Sequence, residues 1–145
     1  MADVKEIVMG LDYGSVTVGV AVSDSLGLTA VGIETIQRTS ETKLRRTLAR
    51  IEDLVAQYHV TKIVLGLPVH MDGSEGERVV YARAFGEKVA KRLSLPVVWQ
   101  DERLTTYEAR EILREEGTDP KEYKKHLDRI AAAIILQDYL DSQRR

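Results

Sequence analysis

Three acidic side chains stand where the surrounding sequence is apolar. Asp12 ends the run Ile7-Val8-Met9-Gly10-Leu11, and Gly14, two residues on, has no side chain to keep another group away from the backbone. Asp101-Glu102-Arg103 end a second run, Val97-Val98-Trp99-Gln100. Side chains alternate along a strand, so Val98, Gln100 and Glu102 share one face while Val97, Trp99 and Asp101 share the other. Only one of the two acids can therefore point at a given site. Asp128 precedes the block Ile130 to Leu136, with Ala131, Ala132 and Ile135 at its i+3, i+4 and i+7 positions, so its helical neighbours face inward. A carboxylate on a core-facing side is costly unless it is paired, protonated or bound to a metal. The ordinary alternatives are a turn-forming aspartate at residue 12 and a first-turn acid at residue 128, which the helix dipole favours by about 0.3–1 kcal/mol.

Carboxylates gathered in one cleft repel one another, and a hard divalent cation with oxygen ligands relieves that repulsion. Mg²⁺ or Mn²⁺ suits such a set best. There is no cysteine, which excludes thiolate zinc sites, disulfides and thiol catalysis together. His59, His70 and His126 have no partner at the i+4 spacing of a zinc helix and read as surface or packing residues. The chain has 145 residues, 43% hydrophobic and 30% charged, which fits one globular domain and excludes a disordered chain. Its net charge of −2 does not announce a nucleic-acid binder. Basic residues cluster locally, at Arg38, Lys43, Arg45, Arg46 and Arg50 and again over 77–92, either as solvated helix faces or as a surface that tracks phosphates. No run of about 18 apolar residues occurs, so no membrane association is expected and a cytoplasmic protein is.

The elements that position these acids follow from periodicity. Short apolar runs at 6–12, 16–22 and 28–36, with brief connections, predict a three-stranded antiparallel meander. Leu44, Leu48, Ile51, Val55 and Tyr58 predict an amphipathic helix, with Ser40 available as its cap. Strand 62–67, a helix carrying Ala82, Phe85, Val89 and Leu93, strand 96–99, and helices 105–116 and 127–140 complete the chain. The expectation is a single α/β domain over 1–145. Its five-stranded mixed sheet has later strands parallel to the first and helices on both faces. Ligands of such sheets collect outside the carboxyl ends of parallel strands, where Asp12 and Glu102 both lie and where a helix could deliver Asp128. The loop from Gly66 to Ser74 either offers backbone N–H groups to a phosphate or is a plain connection with Ser74 and Glu77 as a capping box. Residues expected on the substrate side are Gly14, Ser15, Pro68, Asp72, Gly73, Ser74 and Arg103. Tyr13 either stacks on a base or packs, and Thr105 and Thr106 read as a helix cap.

Taken in order, Met9-Gly10-Leu11-Asp12-Tyr13-Gly14, Val18-Gly19-Val20-Ala21-Val22-Ser23-Asp24, Gly66-Leu67-Pro68, Met71-Asp72-Gly73-Ser74, Asp101-Glu102-Arg103-Leu104-Thr105-Thr106 and Asp128-Arg129-Ile130-Ala131-Ala132 resemble the YqgF (RuvX) family over nearly the whole chain. The resemblance implies a ribonuclease H-like fold and a cytoplasmic nuclease that matures the 5′ end of pre-16S ribosomal RNA, with Holliday-junction resolution as the older reading. It implies Asp12, Glu102 and Asp128 as the catalytic, metal-holding acids, with Asp101 behind them. The chemistry expected of this set is two-metal phosphodiester hydrolysis with Asp12 bridging ions roughly 3.5–4 Å apart. Implied partners are RNA or branched DNA and a pre-ribosomal particle, with the chain a monomer or weak homodimer. Two other readings stay open: a non-catalytic nucleic-acid-binding module in transcription, and an actin-like ATPase half, which needs a second domain. The sequence departs from the family pattern twice. Thr17 stands in a hairpin that commonly carries a basic residue, so a phosphate contact is expected to be missing. Arg129 adds charge beside Asp128.

Overall fold

Asp12 lies one residue from the end of the central strand of a five-stranded sheet in the computed structural model, which describes residues 6–14, 16–38, 44–68, 72–102 and 105–144. Strands β1 (Val8–Tyr13), β2 (Thr17–Ser23) and β3 (Ala30–Gln37) form the expected antiparallel meander. Strand β4 (Lys62–Leu67) pairs in parallel with β1, and β5 (Val97–Asp101) in parallel with β4, giving the order β3-β2-β1-β4-β5. The carboxyl ends of β1, β4 and β5 thus form one edge. Strand β1 runs one residue further than its apolar pattern because Gly14 N–H turns back to Thr17 O at 2.8 Å and closes the hairpin only after Tyr13.

The two faces of the sheet have different covers. Met9, Leu11 and Tyr13 point to a core shared with Ile51 and Leu54 of α1 (Arg45–Tyr58) and with Phe85 and Val89 of α2 (Glu77–Leu93). Val8 and Val64 point the other way, onto Ala132, Ile135 and Leu136 of α4 (Tyr123–Gln143). Helix α3 (Thr105–Glu115) packs on the outside of α4. That sandwiching explains why 130–136 is apolar all round, since a helix covered on both sides has no wet face.

Several termini differ from expectation. Helix α2 starts at Glu77 with Gly76 as its N-cap, not near Ser74. Asp72 Oδ1 accepts both Ser74 N–H at 2.8 Å and Ser74 Oγ at 2.6 Å, which commits that hydroxyl to a local turn and removes the capping box. Helix α4 begins at Tyr123 because a 3₁₀ turn, Pro120–Glu122, capped by Asp119 Oδ1 on Lys121 N–H at 3.0 Å, feeds straight into it. Ser40 lies outside the described residues; Leu44, at the start of α1, supplies no side-chain cap. Among the described residues no helix is long and apolar enough to cross a membrane.

Candidate active site

Each acid arrives by a different route. Asp12 is carried by β1, paired in register with Gly19 of β2. Glu102 follows the last residue of β5, fixed by its N–H to Leu67 O at 3.3 Å and its carbonyl to Thr105 N–H at 3.1 Å. Its side chain turns to the α4 face, as alternation predicts, and lies over Gly66. A Cβ on residue 66 would stand 2.7 Å from Glu102 Oε2 and 2.6 Å from Ile135 Cδ1, so the missing side chain is the space the carboxyl occupies. Asp128, on α4, is brought in by Gly19, where a Cβ would stand 1.9 Å from its carbonyl oxygen. The helix therefore rests on the strand at the residue that pairs with Asp12.

These positions bring the Asp12 and Glu102 carboxyls into hydrogen-bond contact, with Glu102 the donor. Burial pushes Glu102 up to about 9, aided by the negative charge of Asp12 and by the hydrogen bond it gives, while Arg78 opposes the shift. Burial also raises Asp12 to about 6, and the charge of Asp128 adds to the rise, while the Glu102 hydrogen bond and Arg78 hold it down. Asp12 keeps part of its surface to solvent, yet protein atoms surround it closely enough to strip most of its water. At neutral pH the pair is thus one carboxylate and one carboxylic acid sharing a proton. Asp128 is held by Thr17, whose Oγ1 donates to Oδ2.

Whether such a set suits a divalent cation follows from its donors. All are carboxyl oxygens, the two in contact share a hydrogen bond, and the third acts on Asp12 through its charge. That is the repulsion a hard cation relieves, so the set fits Mg²⁺ or Mn²⁺. Among the described residues no three His, Asp or Glu groups form a ready ligand cluster. The closed contact is the Asp12–Glu102 pair.

Other expected site residues fall into three groups. Asp101 is exposed, and its charge raises Glu102. Gly14 is a turn residue whose carbonyl accepts from Arg38 Nη2; Asp72, Gly73 and Ser74 form the exposed turn before α2, and Pro68 follows β4 half-buried. Ser15, Arg103 and His70 lie outside the described residues. Tyr13 does not offer a face to a base: it is buried, stacked on Phe85 with ring centroids 4.4 Å apart and covered by the Arg38 guanidinium at 4.5 Å. Its place on the strand face opposite Asp12 puts it in the core. Arg78 is the residue that periodicity did not single out. It lies in the first turn of α2, its charge reaches both acids, and its Nη2 donates to Tyr13 O at 3.5 Å. The basic stretches otherwise resolve largely into solvated faces, with exposed pairs Arg50–Glu34, Arg83–Glu75 and Arg92–Glu52. Arg38, the exception among the described residues of the first stretch, is buried, and Lys43 lies outside the described residues.

A cavity of about 470 Å³ lies at the other end of the sheet, lined by Glu6, Val8, Lys62, Tyr139 and Arg144 among others. It contains none of the three acids, and its lysine is already engaged by Glu6 and the Tyr139 hydroxyl, each at 3.2 Å.

A family model described as "RuvX: Holliday junction resolvase" matches residues 6–142. The chain belongs to the RuvX family. A relative from Agathobacter rectalis, called "Putative pre-16S rRNA nuclease", is 51% identical over 134 residues, covering 92% of this chain and 94% of that protein. One from Lachnospira eligens with the same description is 47% identical, covering 95% and 99%. Among solved structures, T. thermophilus RuvC in complex with a Holliday junction substrate superimposes with a TM-score of 0.58 at 15% identity, covering 96% of each chain. This RuvX chain therefore has the ribonuclease H-like fold that its motifs implied.

Proposed function

We propose that this RuvX chain is a metal-dependent nuclease that trims the 5′ end of pre-16S ribosomal RNA, with Asp12, Glu102 and Asp128 as its catalytic acids. The observation that carries the reading is the contact between the half-buried Asp12 and Glu102 carboxyls at the carboxyl edge of the parallel strands, over the space left by Gly66, with the charge of Asp128 beside it. A purely structural role would be served better by apolar residues where protein atoms strip most of the water from two touching carboxyls. The relatives named as pre-16S rRNA nucleases support the choice of RNA.

When bound, Mg²⁺ or Mn²⁺ supplies an activated water and charge stabilisation for the leaving oxygen, with two ions the usual number for phosphodiester hydrolysis. Glu102 must release its shared proton before it can act as a ligand, and Asp12, placed between Glu102 and Asp128, is the residue able to serve both sides. Arg78 keeps positive charge near the acids and favours their ionised forms. Attack of water oxygen on phosphorus with departure of the 3′ oxygen leaves a 5′-phosphate and a 3′-hydroxyl. With a net charge of −2 the chain has little general attraction for RNA. A pre-ribosomal particle would supply the remaining contacts, so one cytoplasmic copy making a single cut suffices.

The test is cleavage of end-labelled 5′-extended 16S RNA, unstructured RNA and a four-way DNA junction with Mn²⁺, Mg²⁺ or EDTA, alongside Asp12→Asn. Metal-dependent cutting of the extended RNA, lost in the variant, is the expected result. Equal inertness of both proteins that still bind RNA would return the chain to the class of binding modules. Preferential cutting of the junction by a dimer would make it a resolvase.

A further inference from the structure

Thr17 occupies the hairpin position at which a basic residue was expected, and the structure gives it a partner of its own: Oγ1 donates to Asp128 Oδ2. The hydroxyl is held there by its surroundings. Gly14 N–H donates to Thr17 O at 2.8 Å, and a Cβ on Gly14 would crowd Thr17 Oγ1 at 3.3 Å. Thr17 and Gly19 share one face of β2, so the same strand touches Asp128 twice, at its side chain through residue 17 and at its main chain through residue 19. Threonine is also stiff at χ1, which fixes the direction of its donor.

We propose that Thr17 is a positioning residue for Asp128, holding the carboxylate in one rotamer through Oδ2 and leaving its other oxygen to a divalent cation. The inference rests on the reading of Asp12, Glu102 and Asp128 as metal ligands. A neutral hydroxyl suits this task better than an arginine or lysine. It orients the carboxylate by a charge-assisted hydrogen bond and leaves its negative charge intact, whereas a cation at residue 17 would compete with the metal for it. Hydrogen-bond partners of ligating groups of this kind typically contribute 10–100-fold in metal affinity.

Mn²⁺ titration of the metal-free 145-residue chain, followed by the electron paramagnetic resonance of free Mn²⁺, tests this without reference to cleavage. Thr17→Val and Thr17→Ala, which both lack the donor, are expected to weaken Mn²⁺ binding about 10-fold, and Thr17→Ser to restore most of it. Circular dichroism melts identify any variant that fails to fold, in which case the other donor-less variant decides. Wild-type affinity in a folded Val or Ala variant, with Asp128→Asn impaired, would overturn the role of Thr17 alone. Wild-type affinity in Asp128→Asn would overturn the ligand assignment itself.

Discussion

Gly19 lies under the main chain of Asp128, with no room for even one more carbon between strand and helix: a Cβ there would stand 1.9 Å from the Asp128 carbonyl oxygen. Both clashing partners belong to regular elements, so neither can move alone. Gly19→Ala is expected to cost about 3 kcal/mol or more, at the upper end for overpacking, and to lift Asp128 away from Asp12. Gly66→Ala meets only the ends of the Glu102 and Ile135 side chains, and its cost is expected within about 1–3 kcal/mol. Urea melts of the two variants rank them, and comparable small losses would show that α4 can slide on the sheet.

In the metal-free protein the contribution of Asp12 and Glu102 to stability is expected to fall with rising pH. Asp12 at about 6 and Glu102 at about 9 both lie above their unfolded values of about 3.9 and 4.3. Groups raised on folding contribute stability that is complete below the unfolded pKa and is lost as pH rises through the folded one. In EDTA the contribution of this pair should therefore decline from about pH 4 towards pH 9. Glu102→Gln keeps a donor for Asp12 without an ionisable proton, and its melting temperature should exceed that of wild type at pH 8 by a few degrees, about 1 kcal/mol. Mg²⁺ should flatten the wild-type decline. Thermal melts across pH with and without the ion measure all three.

Arg78 opposes the upward shift of both acids. Arg78→Met should raise the pair further, moving the acidic limb of the pH–rate profile to higher pH and lowering cleavage at pH 7 about 10-fold. Arg78→Lys keeps the charge and should lie between. An unchanged limb in Arg78→Met would show that the guanidinium charge does not set the ionisation of the pair.

Because Tyr13 is packed between Phe85 and Arg38, it contributes to stability and not to base recognition. Tyr13→Ala should cost about 3–5 kcal/mol, the usual penalty for emptying an aromatic core position. Tyr13→Phe loses only the acceptor for Arg38 Nη1, 3.2 Å away, and should cost about 1 kcal/mol while RNA affinity stays at wild type. Electrophoretic shifts with the Phe variant check the second half.

Much of this protein is written in local pattern. The apolar runs at 6–12, 16–22, 62–67 and 96–99 and the helical spacing of Ile51, Phe85 and Val89 mark the strands, helices and buried faces because periodicity is a property of neighbours along the chain. Acids at the ends of two such strands and at the edge of an apolar helix were visible for the same reason. Helix ends were less legible: Ser74 and Glu77 have the spacing of a capping box, yet the Ser74 hydroxyl bonds Asp72 Oδ1 in a local turn and the helix starts at Glu77.

Tertiary structure alone decided what those acids are to one another. Residues 12 and 102 are ninety positions apart, and their carboxyls meet because β1, β4 and β5 align their carboxyl ends while Gly66 leaves room beneath α4. The same holds for Arg78 above the acids, Tyr13 in the core and Thr17 on Asp128. Residue types and spacings determine which groups can do chemistry, but burial, charge coupling and hydrogen-bond direction depend on distances through space, which only the packed sheet and helices set.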